Sequence, residues 1–207
     1  MNLNQHFDKV VVLSQKTRID RRFLWAEEAA KWGIKSVTFD AVEDPDPKRS
    51  FNLSHRAILQ QFVDSKYKTV LVLEDDCTFV NTESADAVLK DMPDIEDWDM
   101  LYFGANLKPH PEFEPPVRYS THWYQVFNAY TTHAIAYTKP IANYILRNYS
   151  IDSMYDAWLD CKLQLFEAFC CSPFLAYQRP TRSDLWDRNV DYTDTFQASD
   201  NYLKTIR

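Results

Sequence analysis

Apolar runs and helical periods alternate along the first eighty residues. Val10–Ser14 (VVVLS) is a short apolar run suited to a central strand. A charged turn follows, then a helix from about Asp20 to Trp32, with Phe23, Ala26 and Ala30 at helical spacing and Leu24 broadening that face. Gly33 supplies a left-handed C-cap, and Ser36–Asp40 (SVTFD) reads as the next strand. Glu43–Ser50, charged and carrying Pro45 and Pro47, reads as loop. Leu53–Tyr67 resumes a helix, with Ile58, Leu59, Phe62 and Val63 on one side and Asn52 or Ser54 as N-cap. Thr69–Leu73 (TVLVL) has the unbroken apolar character of a strand buried on both faces, as in a parallel sheet.

Farther on, Asn81–Leu89 reads as helix and Trp98–Phe103 as strand. Residues 105–124 hold Pro109, Pro111, Pro115 and Pro116 with little periodicity, which predicts a long loop serving as lid or site wall. Val126–Thr138 is rich in β-formers, and Lys139–Asn148 is a helix entered through Pro140. Tyr155–Phe169 carries Trp158, Leu159, Leu163, Phe166 and Phe169 as an amphipathic helix; Phe174–Tyr177 is a last strand and residues 179–207 read as irregular and polar. The alternation predicts an α/β fold with a mostly parallel central sheet flanked by helices. One domain spans residues 1–185, and a polar tail over 186–207 packs on or near the site.

Composition narrows the function classes. The 207 residues are 45% hydrophobic and 15% aromatic, enough for a sizeable core. The balance of 23 basic against 30 acidic residues argues against nucleic acid as the main ligand. Apolar stretches are far too short to span a bilayer, and the first residues lack a leader pattern, so a cytoplasmic protein with at most peripheral membrane contact is expected. Cys77, Cys161, Cys170 and Cys171 form no CxxC framework and read as buried thiols of a reducing compartment.

The chemistry concentrates where Glu74, Asp75 and Asp76 follow the TVLVL strand. In open α/β sheets the carboxyl ends of strands face the ligand crevice. Three adjacent acids repel one another unless a cation intervenes. In an extended loop Glu74 and Asp76 point one way and can share Mg²⁺ or Mn²⁺, while Asp75 faces the neighbouring strand or a sugar hydroxyl. The alternative is a solvated acidic turn.

The order VVVLSQKTRIDRR, FDAVE, NLSHRAI, VLVLEDD resembles glycosyltransferase family 25, the lipooligosaccharide and procollagen galactosyltransferase family. Its motifs are met by Ser14–Arg22, Asp40–Glu43, Ser50–His55, Leu71–Asp76 and Pro173–Asp184. The resemblance implies a GT-A-like fold, a UDP-sugar donor such as UDP-galactose, inversion at the anomeric carbon and a glycan acceptor, as in lipopolysaccharide biosynthesis. The family's Gly-Cys pair is replaced here by residues of the Ser50–Asn52 stretch.

On that resemblance the donor is expected against Leu13, Ser14, Arg18, Asp40, Ala41, Val42, Ser54, His55, Asp75, Gln178 and Arg182, and the metal on Glu74 and Asp76. Arg18 is favoured over Arg21 and Arg22 for phosphate, since a guanidinium binds it bidentately. Ser54 and His55 are expected to open a helix whose free amides suit an anion. Arg182 is expected to close over the diphosphate. Asp156, or Asp152 one turn earlier, is the expected base, with Asp160 on the solvent face and Asp184 or Glu112–Glu114 next in line. Gly104, Ala105 and Asn106 are set toward the donor sugar, and Trp123, Tyr124 and Trp186 are loop aromatics suited to stacking. His110 and His122 lack a spacing partner for a metal, and His133 reads as a buried, satisfied histidine. Two other readings share these residues: a nucleotide-sugar hydrolase using water, and an inactive GT-A-like module that binds a glycan or partner.

Overall fold

The computed structural model describes residues 2–109 and 113–206, so His110 and Glu112 lie outside the described residues. In chain order the elements are β1 (Lys9–Ser14), α1 (Ile19–Trp32), β2 (Val37–Asp40), α2 (Pro47–Asp64), β3 (Thr69–Glu74), β4 (Cys77–Phe79), α3 (Ala85–Lys90) and β5 (Met100–Tyr102). Then come β6 (Val117–Arg118), β7 (Trp123–Gln125), β8 (Ala134–Thr138), α4 (Lys139–Asn148), α5 (Tyr155–Lys162) and β9 (Ala168–Cys171). The chain finishes with β10 (Ala176–Gln178), β11 (Thr181–Ser183), β12 (Arg188–Val190) and α6 (Thr193–Thr205).

The central sheet runs β2-β1-β3-β8-β5-β9-β7-β6. Pairings β1–β2, β1–β3 and β5–β9 are parallel, whereas β8 lies antiparallel to both β3 and β5. The sheet is therefore mixed rather than mostly parallel, because the β-rich stretch ending at Thr138 returns through the middle of the sheet. The α/β class with flanking helices stands, in keeping with a GT-A-like layer order.

Strand alternation builds two cores, one on each face. Val11, Leu13, Val70 and Val72 pack with Ile58 and Leu59 of α2, Ile141 of α4, Leu159 of α5 and Phe196 of α6. Val10, Val12, Leu71 and Leu73 pack with Trp25 of α1 and Val88 of α3. Val70–Leu73 is buried throughout, at the sheet's interior, as its composition requires.

Several local expectations are corrected. Helix α2 begins at Pro47, with Asp46 as N-cap accepting from the Lys48 amide at 2.9 Å; the Asp-Pro pair that reads as loop is a cap and a first-turn proline. Ser54 and His55 thus lie inside a helix, where their amides are already bonded. Helix α5 stops at Lys162, and Phe169 belongs to β9. Trp123 and Tyr124 are core residues of β7, and among the described residues of 105–124 none lines the cleft below. Residues 179–207 are not irregular: a hairpin and α6 form there, with Phe196 and Leu203 fully buried. Cys161 is exposed, while the other three thiols are buried.

Helix α1 turns its expected face outward. Phe23 is 63% exposed and Leu24 38%, whereas Arg21, Trp25 and Glu28 point inward. Gly33 does cap it in the left-handed conformation, at φ 65°.

Candidate active site

A cleft with a cavity volume of about 170 Å³, open to solvent, lies across the carboxyl ends of β1 and β3. Register sets its floor. Leu13 pairs with Glu74, the Asp75 amide donates to the Leu13 carbonyl at 3.1 Å, and the Glu74 amide to the His133 carbonyl at 2.9 Å. Three carboxylates are thereby fixed where the strands end.

Their partners differ. Asp75 accepts from the Ser14 hydroxyl at 2.7 Å and from Arg21 Nη1 at 3.0 Å, so it does face the neighbouring strand. Asp76 Oδ2 lies 3.2 Å from the same Arg21 nitrogen, while its buried Oδ1 takes no hydrogen bond. Glu74 accepts from the Thr132 hydroxyl at 2.7 Å and lies 3.9 Å from His55 Nε2. One guanidinium against three carboxylates leaves the floor short of positive charge. Burial, then repulsion from Asp76, pushes Glu74 up to about 8 despite its bond to Thr132. Burial also lifts Asp76 to about 6, with Arg21 and the nearby Gln178 side chain pulling against the rise. Among the described residues no group of three or more His, Cys, Asp or Glu side chains converges on a common metal position.

The opposite wall comes from α2, α5 and the C-terminal hairpin: Phe51, Met154, Asp156, Leu185, Trp186 and Tyr192. Asp156 enters the cleft from the first turn of α5, its Oδ1 accepting from the Ala157 amide at 2.8 Å. Asn52 of α2 holds that helix start, donating to the Ile151 and Ser153 carbonyls at 2.8 Å each and accepting from the Tyr155 amide. Burial raises the Asp156 carboxyl above the usual carboxylate range. Asp152 is exposed beside Ser150 and lies off the cleft. Asp160, expected in solvent, is buried and accepts from the Ala129 amide at 2.8 Å.

The other expected residues divide. Leu13, Ser14, Ala41, Ser54, Gln178 and Asp184 line the cleft, and Val42 lines an adjoining recess with Lys16 and Asp44. His55 sits behind the wall, stacked on Tyr155 at 4.8 Å, with burial holding it down to about 3. Arg18 is spent on Asp20 and on Asp184, at 2.6 Å. Asp40 pairs with Arg22 at 2.6 Å and Lys16 at 3.8 Å, away from the cleft. The Arg182 side chain turns outward to Asp187, which removes it from the diphosphate position expected for it. Gly104 is required by the fold, since a Cβ there would lie 2.0 Å from the Ala176 carbonyl oxygen; Ala105 is buried and Asn106 bridges to Tyr130.

Among the cleft residues that sequence reasoning missed or ranked low are Arg21, set below Arg18, and Thr131 and Thr132. Arg21, Trp25, Glu28 and Trp32 recur at i, i+4, i+7 and i+11, a helical stripe masked by its two charges. Thr131 has φ 76°, a region costly for a β-branched residue, and its buried hydroxyl has no partner. No periodicity announces such a residue.

No protein-family model and no curated protein matches the chain. Solved structures are similar at a distance. One is a glycosyltransferase involved in the glycosylation of the major capsid of PBCV-1, 12% identical, with 73% of this chain and 72% of that chain covered and a TM-score of 0.43. Another is the inositol-1-phosphate CTP transferase from T. maritima, 10% identical, with 98% of each chain covered and a TM-score of 0.45. A third is the nucleoside-diphosphate-sugar pyrophosphorylase from Vibrio cholerae RC9, 14% identical, covering 81% of this chain and 75% of that one at 0.41. TM-scores below 0.5 carry no weight for function, which rests on the cleft.

Proposed function

We propose that the cleft binds a nucleotide-sugar and transfers its hexose to a hydroxyl of a glycan acceptor. The observation that carries this reading is the excess negative charge of Glu74, Asp75 and Asp76 over Arg21, in a cleft also lined by Asp184, which is paired with Arg18, and by Asp156, which has no ion-pair partner among the described residues. The resemblance to glycosyltransferase family 25 supports the finer points: UDP-galactose or a related donor, and inversion.

The floor suits a divalent cation. Asp76 Oδ1 is a buried acceptor without a partner, and Glu74 is held ionised only with difficulty. Glu74 and Asp76 are the residues to hold Mn²⁺ or Mg²⁺, which need few protein carboxylates when a diphosphate and water complete the shell. Such an ion supplies positive charge against the leaving nucleoside diphosphate. The chain's own residues do the rest. Ser14, Ala41 and the recess beside Val42 receive the nucleoside, and Trp186 offers a face for stacking. Asp156 accepts the proton of the acceptor hydroxyl as that oxygen bonds to the anomeric carbon and the diphosphate oxygen departs with the old bond. Its raised affinity for a proton suits that task.

The test is a screen of UDP-sugars and cations by mass spectrometry with mixed sugar acceptors. A cation-dependent product one hexose heavier than an acceptor is expected. Turnover equally fast without acceptor identifies a hydrolase, and donor binding without turnover an inert module. Asp76→Asn is expected to abolish cation-dependent donor binding while the metal-free melting temperature holds or rises, because like-charge repulsion is relieved. Unchanged donor affinity in that variant with Mn²⁺ present reduces the acids to a structural anchor for Arg21.

A further inference from the structure

Arg21 touches both the floor and the mouth of the cleft. Its Nη1 lies 3.0 Å from Asp75 Oδ1 and 3.2 Å from Asp76 Oδ2, and its Nη2 donates to the Arg182 carbonyl at 2.7 Å. Arg182 belongs to the β11–β12 hairpin, which supplies Ser183, Asp184, Leu185, Trp186 and Val190 to the cleft. That hairpin is a separate two-stranded sheet with no ladder to the central one. Side-chain ties therefore set its position. Among the described residues they include Arg21 and Arg18 to the Arg182 carbonyl, at 2.7 and 3.4 Å, Arg18 to Asp184, and Lys48 over the Trp186 ring at 5.3 Å.

We propose that Arg21 is a positioning residue that ties the 181–190 hairpin to Asp75 and Asp76, so that the seat of the hairpin depends on that bridge. The guanidinium is a planar fork, so the arm held by Asp75 and Asp76 fixes where the other arm points. Arg21 is 8% exposed, and the side chain has little room to find substitute partners. Loss of charge at Asp76 weakens the inner hold, and the outer hold on Arg182 weakens with it. Arg18 shares the Arg182 carbonyl, at 3.4 Å, so its tie is coupled to that of Arg21, whereas Lys48 over the Trp186 ring touches neither the acids nor that carbonyl. The proposal deepens the donor-site reading by naming what governs the mouth of that site, yet the link itself needs neither donor nor metal.

Amide hydrogen exchange of peptides covering 181–190 tests it, on the whole chain in metal-free buffer, with β3 and β8 amides reporting the intact core. Asp76→Asn is expected to speed exchange in the hairpin by about threefold, the scale of loosening one part-buried hydrogen bond, Arg21 to the Arg182 carbonyl. Arg21→Lys keeps the charge but loses the fork, and is expected to do the same. The double variant is expected to exchange no faster than Arg21→Lys, whereas Asp76→Asn combined with Lys48→Met multiplies the two effects. Unchanged hairpin exchange in Asp76→Asn alone overturns the proposal, as does a multiplicative effect in the Arg21→Lys double. Neither readout involves turnover, so a failed transferase screen leaves this test standing.

Discussion

Asp76 and Asp156 are the same side chain on two walls of one cleft, and burial raises the proton affinity of both. Their neighbours make them different. Asp76 stands among Glu74, Asp75 and Arg21 at the end of a strand buried on both faces, with one oxygen left without a partner. Asp156 lines the same cleft from the first turn of α5, half-buried, with no cation in ion-pair reach among the described residues and the Ala157 amide as its hydrogen-bond donor. A carboxylate crowded by like charge seeks a cation, whereas one without an ion-pair partner is suited to take a proton. The contrast assigns two tasks to two positions.

The largest effect expected from breaking that contrast is on turnover. Asp156→Asn is expected to lower kcat by about 10²-fold, the scale of a lost general base, while donor affinity barely moves. Asp152→Asn, on the surface one turn away, is expected to stay near wild type. The reverse pattern in steady-state kinetics moves the base by one helical turn.

A middle-sized effect concerns the floor itself. His133, whose carbonyl anchors Glu74, is buried with Nε2 3.1 Å from the Ala176 carbonyl, and burial holds its pKa down to about 4. The unfolded chain takes up that proton near pH 6.5 and the folded one does not, so stability falls as pH drops from about 6.5 toward 4. Glu74 and Asp76, with raised pKa values, work in the opposite direction over their own ranges. Comparison with His133→Gln cancels them. Between pH 7 and pH 5 the wild type is expected to lose about 2 kcal/mol more than the variant in urea unfolding. Parallel losses in the two proteins show that His133 is not held neutral.

The smallest effect sharpens the floor's geometry. Thr131→Gly removes a β-branched side chain from φ 76°. Relief of that strain outweighs the added backbone entropy by about 0.5 kcal/mol, so the melting temperature is expected to rise slightly while UDP-sugar affinity falls. A drop in stability shows that the side chain contributes more by packing than its backbone costs.

Residues 9–76 were legible almost as written. Strand–helix alternation, the doubly buried VLVL and the acids at the end of β3 are local signals, because hydrogen-bond periodicity and burial act on neighbouring residues. Even here the inward face of α1 was hidden, since two of its four positions are charged and find their partners in the turn after β3 and on β4. The second half read less well. β8 lies antiparallel between β3 and β5, and no run of residues encodes which strands a stretch will join. The hairpin and α6 look like polar tail because Phe196 and Leu203 are sparse anchors whose core is built by distant strands. By itself the sequence determined the α/β class and the three acids beyond a buried strand. Tertiary structure alone decided that Arg21 rather than Arg18 answers those acids, whereas Asp156, already favoured over Asp152 in the sequence, is the one that lines the cleft. The physical reason is that a charge's role depends on what burial and packing place within a few ångströms of it.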